Sequence, residues 1–392
     1  MSIRLMIGAA FAVFATALAI AQTRTAQAGG PLPGITPVEF EEFRIGLDDF
    51  LEVEASEEGL GPAFNGTSCA VCHNVPVIGG VSPVAEMRAG RVNERGEFET
   101  LDGTGETLFH LFSVPGHACQ PIVPAEANVF ARRVPIPVFG AGLVEAIPDD
   151  TLRDLEDPFD RNGDGVSGRA AIVVDLATGD RRVGRFGWKA QHATLLAFSA
   201  DAYRNEMGIT NDLFPAESAY GVAADRMRLC DPFADPEDIA DPRTRRRGID
   251  NFASFMKFLA PLAREGVTPQ TQAGEKVFQS LGCATCHVPV LMTGASANPL
   301  FNRKRVELFS DLLLHEVGTG DGIRQASADT HEIRTPALWG LRFRRPLLHD
   351  GSAATIDQAV LRHAREADLA RRGFEQLSDV DKAALLAFLK SL

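Results

Sequence analysis

One five-residue pattern occurs twice in this chain, as Cys69-Ala-Val-Cys72-His73 and as Cys283-Ala-Thr-Cys286-His287. Two thiols three positions apart, with a histidine directly after the second, form the attachment site of a c-type haem. Within one helical turn both sulfurs can reach the two vinyl groups of a single porphyrin, and the next residue then sets an imidazole under the iron. Zinc sites and redox pairs also use CxxC, but the return of the whole pattern argues against both. The chain has six cysteines and nine histidines. The repeats predict two covalently bound c-type haems, with Cys69, Cys72, Cys283 and Cys286 as attachment points and His73 and His287 as proximal iron ligands.

The N-terminus reads as a secretory leader. Arg4 supplies the positive start, Leu5 to Ile20 is almost wholly apolar, and Ala26-Gln27-Ala28 is a small-residue cleavage site before Gly29. The apolar run is short for a bilayer span, and no cysteine stands near the cleavage site to take a lipid. The expectation is an exported, periplasmic protein cleaved near Ala28, with no stable membrane anchor, which is also where c-type haems are attached. Lys and Arg number 39 against 52 Asp and Glu, a formal charge of −13, and cleavage removes Arg4 and Arg24. Such a surface excludes nucleic acid as a partner and suits a basic one, such as a small electron-carrying cytochrome; it also serves solubility alone. Cys119 and Cys230 remain after the motifs are counted. In an oxidising compartment they form either a disulfide or two buried free thiols.

Two domains are expected after the leader (1–28): an N-terminal haem domain with insertions (29–265) and a compact C-terminal cytochrome c domain (266–392). The fold class is mainly α, two cytochrome c-type haem domains, the first enlarged by loop-rich insertions with short strands. A helix is expected from Arg185-Phe-Gly-Trp188-Lys-Ala-Gln-His192 through Phe198, closing near Asn205-Glu206-Met207-Gly208. Another runs from Asp250 to Leu262, and Arg243 to Arg247 reads as a solvated loop. In the second domain, Gln272 to Leu281 is helical, with Gly274 and Phe278 one turn apart to let another helix cross closely. Ser378 caps the last helix, with Val380, Ala384, Leu385, Phe388 and Leu389 as its buried stripe. Asp160-Arg-Asn162-Gly-Asp164-Gly165 places oxygens at alternate positions, as the first half of a calcium loop does. The twelfth position is Ala171 rather than Glu, so the rival reading is an Asx-rich turn without an ion.

Reactivity depends on what faces each iron opposite its proximal histidine. For the second motif the candidate is His363, on a helix begun by Thr355 that places Ile356, Val360, His363 and Ala367 on one face; His315 and His349 are rivals. For the first motif Met87, His110, His117 and His192 are all conceivable, and no pattern selects one. An iron with an open sixth position can bind peroxide, whereas one with two strong ligands only passes electrons.

These residues resemble the bacterial di-haem cytochrome c peroxidase superfamily, and most closely the di-haem oxidoreductase family of peroxidases and thiol oxidoreductases. The likeness rests on Asn65-Gly-Thr-Ser-Cys-Ala-Val-Cys-His73, Phe186-Gly-Trp-Lys-Ala190, Gly282-Cys-Ala-Thr-Cys-His287, Arg334-Thr-Pro-Ala-Leu-Trp-Gly340 and His349-Asp-Gly-Ser352 with the helix through His363. It implies a peroxide-reacting N-terminal haem, an electron-receiving C-terminal haem, Trp188 as the bridge between them, and a calcium ion near the domain interface. Glu206 resembles the acid that shuttles protons at the peroxide site. Two departures stand out: His363 occupies the place of a methionine, and no histidine lies between His73 and His110.

The reading is a periplasmic di-haem c-type oxidoreductase that reduces hydrogen peroxide with electrons from a small cytochrome or similar donor. The alternatives are a di-haem oxidase acting on an organic or protein substrate through a high-valent haem pair, and a non-enzymatic di-haem electron-transfer cytochrome.

Overall fold

The computed structural model describes residues 27–101, 105–116, 119–220, 222 and 224–392. The leader from Arg4 to Ala26 lies outside the described residues, as does His117. The helices that frame the two motifs are α1 (Pro37–Leu51), α2 (Cys69–Cys72), α3 (Leu195–Met207), α4 (Gly248–Phe258), α5 (Pro269–Ser280), α6 (Ile356–Leu361) and α7 (Asp379–Ser391). An antiparallel sheet is built on β1 (Glu86–Val92), which pairs with β2 (Phe98–Glu99), β3 (Leu108–Phe109) and β4 (Val129–Arg133). Long irregular connections join these elements.

Local sequence accounts for the helices. Thr36 caps α1 and Pro37 opens it, while Glu39 reaches back to the Thr36 amide at 2.9 Å, a capping box. Phe43, Gly46 and Phe50 then form its buried face. Gly46 is where α1 crosses α4: a Cβ there would collide with the Asn251 carbonyl oxygen. The closeness lets Phe43 and Phe50 reach Phe255 of α4, with ring centroids 5.3 and 4.7 Å apart. Each such buried aromatic contributes roughly 1.5–3 kcal/mol of transfer free energy. In the C-terminal part Thr268 caps α5 and Pro269 opens it. Gly274 faces the Ala384 carbonyl of α7, and Phe278 packs on Phe388 at 5.3 Å.

Two apolar cores result. The larger joins α1, α3 and α4, and it also takes in Leu291, Leu300, Phe301, Leu308, Leu312 and Trp339 from beyond residue 266. The smaller gathers Phe278, Phe309, Leu347, Phe374 and Phe388 around Cys283. Cys119 and Cys230 are joined in a disulfide, with Cα atoms 5.9 Å apart. In the sheet, Glu86 stands opposite Arg133, and side chains two apart share a face, so Glu86 and Arg88 point the same way.

Several expectations need correction. Residues 185–192 are not helical: Phe186 and His192 pair across a turn, and α3 begins only at Leu195, capped by Thr194. The helix expected to reach Leu262 ends at Phe258. Arg246 and Arg247 do not wave in solvent, for Arg246 donates to Ser254 Oγ at 2.6 Å and Arg247 pairs with Asp250 at 2.8 Å, both fastening the start of α4. Val380 is 77 % exposed and lies outside the buried stripe of α7. His363 and Ala367 do not share a helix with Ile356. α6 stops at Leu361, a bend follows in which Arg365 takes a positive φ, and Ala367 ends a separate 3-10 turn.

Candidate functional site

The single turn of α2 carries Cys69 and Cys72, both unpaired, and His73 ends it. The His73 ring packs on Phe50, and its Nδ1 lies 2.9 Å from the Gly80 carbonyl. An imidazole that donates through Nδ1 keeps its Nε2 lone pair for a metal. Over the motif opens a cavity, partly continuous with solvent, with Trp188, Glu86, Arg88, Arg133 and Glu206 in its wall.

The polar wall is made by elements far apart in sequence. Arg88 grips Glu86 with two contacts, Nε to Oε1 at 2.6 Å and Nη2 to Oε2 at 3.0 Å, and its Nη1 donates to Thr107 Oγ1 at 3.0 Å. Asn65 donates from Nδ2 to Glu206 Oε2 at 2.8 Å. The carboxyls of Glu86 and Glu206 lie within hydrogen-bonding reach of each other. Burial and the neighbouring Glu86 charge push Glu206 above the usual carboxylate range. Burial acts on Glu86 in the same direction, but the Arg88 pairing outweighs it and holds Glu86 below that range. Of these residues the sequence singles out Glu206 and gives no role to Glu86, Arg88, Arg133 or Asn65.

Trp188 is buried in the same wall. Its Nε1 donates to the Val134 carbonyl at 2.8 Å, its carbonyl accepts from the Arg334 amide at 2.8 Å, and its ring stands edge-on to His349 with centroids 6.1 Å apart. Of the conceivable ligands opposite His73, none of the three described ones lines the cavity. His110 is tied to the Asn205 carbonyl at 2.8 Å, His192 lies 2.9 Å from Asp201, and Met87 packs beside Ala89 and Phe109. The thioethers in the wall belong to Met207 and Met256.

At the second motif, Gly282 takes a positive φ and Cys283–Thr285 forms a 3-10 turn. His287 Nδ1 lies 3.0 Å from the Phe309 carbonyl, and His363 Nδ1 lies 2.8 Å from the Ala359 carbonyl. Both imidazoles therefore keep Nε2 free. Burial pushes His287 down to about 4, and a charge on His363 acts the same way. His315 has neither nitrogen to spare, since Asp311 and Glu366 each bind it at 2.8 Å. His349 stays against Trp188, with Nδ1 buried and unpartnered.

The loop at Asp160 is exposed and closed on its own amides. Asp160 accepts from Gly165 at 3.1 Å, Asn162 Oδ1 from Asp164 at 2.9 Å, and Asp164 from Val166 at 2.9 Å. The Asx turns of the rival reading are thus formed. A different acidic group, Glu217, Asp231, Asp235 and Glu237, brings its oxygens within 4.8 Å of one another.

Comparison with known proteins gives three findings. A curated relative, cytochrome c peroxidase Ccp of Escherichia coli strain K12, is 29 % identical over 126 residues, which is 32 % of this chain and 26 % of that protein. The match therefore spans about a quarter of the relative's length. Among solved structures, the diheme peroxidase BthA from Burkholderia thailandensis E264 is 16 % identical, over 90 % of this chain and 86 % of that one, with a TM-score of 0.44. Hydrazine synthase of Kuenenia stuttgartiensis is 13 % identical over 99 % and 100 %, also at 0.44. The family model described as "Di-haem oxidoreductase, putative peroxidase" matches residues 115–392. This chain belongs to the di-haem oxidoreductase family. It is an oxidoreductase, and its family implies haem cofactors.

The residues of this di-haem oxidoreductase fit such groups. Each motif offers two thiols and an imidazole with a free Nε2. Beyond the thiols, Arg334 and Arg344 are buried yet donate only to main-chain carbonyls, those of Gly187, Thr335 and Ala337. Neither is ion-paired to a carboxylate among the described residues. Buried cations call for a counter-charge, and the propionates of a haem would supply one.

Proposed function

We propose that this di-haem oxidoreductase carries two c-type haems, bound covalently by Cys69 and Cys72 and by Cys283 and Cys286, and that it reduces hydrogen peroxide over the first. His73 and His287 serve as proximal ligands and His363 as the second ligand of the C-terminal iron. The observation that carries this reading is the contrast between the two motifs. The first opens on a cavity walled by a carboxyl pair and cations, while near the second two imidazoles each bind a main-chain carbonyl through Nδ1 and keep Nε2 free.

Haem iron supplies, when bound, a coordination position for peroxide and storage for electrons. The remaining work falls to side chains. Glu206 holds a proton at the cavity wall and can deliver it to a peroxide oxygen, and Asn65 fixes its carboxyl by binding Oε2. Arg88, paired with Glu86, and Arg133, paired with Asp321, hold the charged wall of the cavity in place. In this reading Trp188, between the cavity and the 333–349 segment, passes an electron inward. Overall, hydrogen peroxide takes up two electrons and two protons to give two molecules of water. The electrons come from a small donor protein, a cytochrome or similar, drawn to the acidic surface. We place the protein in the periplasm, with cleavage after Ala28. No helix among the described residues is long and apolar enough to cross a membrane. Calcium on the Asp160, Asn162 and Asp164 turn belongs to the same proposal, and elemental analysis of the purified chain and of Asp160→Ala tests it.

Spectroscopy of the two irons is the decisive test. One high-spin ferric centre that responds to cyanide and peroxide, beside one low-spin centre that does not, supports the reading. Two low-spin irons in every redox state, with spectra unchanged by peroxide, overturn it.

A further inference from the structure

Two acidic side chains in hydrogen-bond contact cannot both be ionised at low cost when buried. Glu86 and Glu206 are in that position, and both line the cavity over Cys69 and Cys72. One proton must lie between them, and the surroundings decide which carboxyl keeps it. Glu86 is clamped through both oxygens by Arg88, at 2.6 and 3.0 Å, with Arg133 Nη1 3.9 Å away. A fork of this kind requires a carboxylate. Glu206 has no such cation: Asn65 donates to Oε2 at 2.8 Å, which leaves Oε1 to carry hydrogen.

We propose that Glu86 is a positioning residue that keeps Glu206 protonated, with Arg88 fixing Glu86 as the anion and the shared proton residing on Glu206 Oε1. The inference rests on the peroxide reading of this cavity and adds a residue to it. The acid is loaded before any substrate arrives. In the delivery step the O–H bond at Glu206 breaks and an O–H bond forms on a peroxide oxygen; no electron moves, and the pair passes from one negative charge to two. Two adjacent carboxylates then repel, so the pair recovers its proton before the next turnover.

The other charged groups around the pair are already engaged. Asp201, on α3, lies 2.9 Å from His192 Nε2, and Arg204 of the same helix binds Glu106 at 2.9 Å. Arg133 on β4 is committed to Asp321 at 2.8 Å. From α2 the pair is faced by Cys72, and Cys69 also lies within reach of Glu206; as thioethers to the first haem neither carries a charge. Among the described residues, Glu86 is thus the carboxylate that acts most strongly on the proton affinity of Glu206.

The test is infrared titration of the protonated carboxyl band in the holoprotein, from pH 5 to pH 10. The expected result is a band that persists above pH 7, vanishes in Glu206→Gln, and titrates at least one pH unit lower in Glu86→Gln, a tenfold or greater loss of proton affinity. Should the neutral substitution leave Arg88 unable to fold, Glu86→Asp shortens the side chain, keeps the charge, and shifts the band in the same direction. A titration unmoved in the Glu86 variants, or a band that survives Glu206→Gln, overturns the proposal. The readout does not depend on turnover. If the band behaves as expected while peroxide leaves the haem spectra unchanged, the peroxide reading falls and the location of the proton stands.

Discussion

Near the second motif, hydrogen bonding sorts one imidazole from another. His315 spends both nitrogens on Asp311 and Glu366, so it is a structural cation, held well above the usual histidine range by those partners against the pull of burial. His363 spends only Nδ1, on the Ala359 carbonyl. Replacing His363 with Ala should convert the C-terminal iron from low to high spin without loss of haem, read by visible absorption and electron paramagnetic resonance; an unaltered spectrum would dismiss it as a ligand. The two CxxCH motifs were legible in the sequence because their spacing is local. The helix expected to carry His363 was misjudged: apolar periodicity suggested a continuous helix, whereas α6 ends at Leu361 and the chain bends before His363. Glu86 and Arg88 were not legible, because their meaning depends on pairing with a strand more than forty residues away and on a helix beyond residue 190.

Helix crossings carry both cores. The sequence announces the α5–α7 crossing through Gly274 and Phe278, and the structure places Gly274 against the Ala384 carbonyl. A Cβ cannot enter that space unless main chain moves. Gly274→Val should therefore destabilise by about 3 kcal/mol, the upper part of the range for overpacked contacts. Denaturant titration measures this, and a midpoint equal to wild type would show that the crossing is looser than drawn. The equivalent crossing of α1 over α4 at Gly46 went unnoticed in the sequence. A glycine within a capped, acidic, amphipathic helix carries no signal of its own until the partner helix is known. The central sheet was visible only as short apolar runs, since its register is set by residues that contact one another across long loops.

Across the whole molecule, a line of buried charge joins the sheet, the Trp188 turn and the C-terminal segment. Asp321 accepts from Arg133 at 2.8 Å and from Lys189 at 3.1 Å, and all three side chains are almost wholly buried. Burial raises the Asp321 carboxyl, but the two cations win and bring it down to about 2. Its folded affinity for protons is thus lower than in the unfolded chain. The stabilisation is complete above the ordinary aspartate value near 4 and is lost as pH falls through about 2. Asp321→Asn should cost about 3–5 kcal/mol near neutral pH, because it strands two cations in the interior. Thermal melts at pH 7 and pH 3 check both statements: the gap between variant and wild type should narrow as the pH falls. Lys189 adds a final point. Its ammonium gathers one carboxylate oxygen and the carbonyls of Asp329 and Glu332, at 2.9 and 2.7 Å, the kind of oxygen cage that a hard metal ion takes elsewhere. A fastener that is part of the chain cannot be chelated away, exchanged for another ion or diluted out, so this joint closes without waiting for a metal and stays shut in a medium stripped of divalent ions.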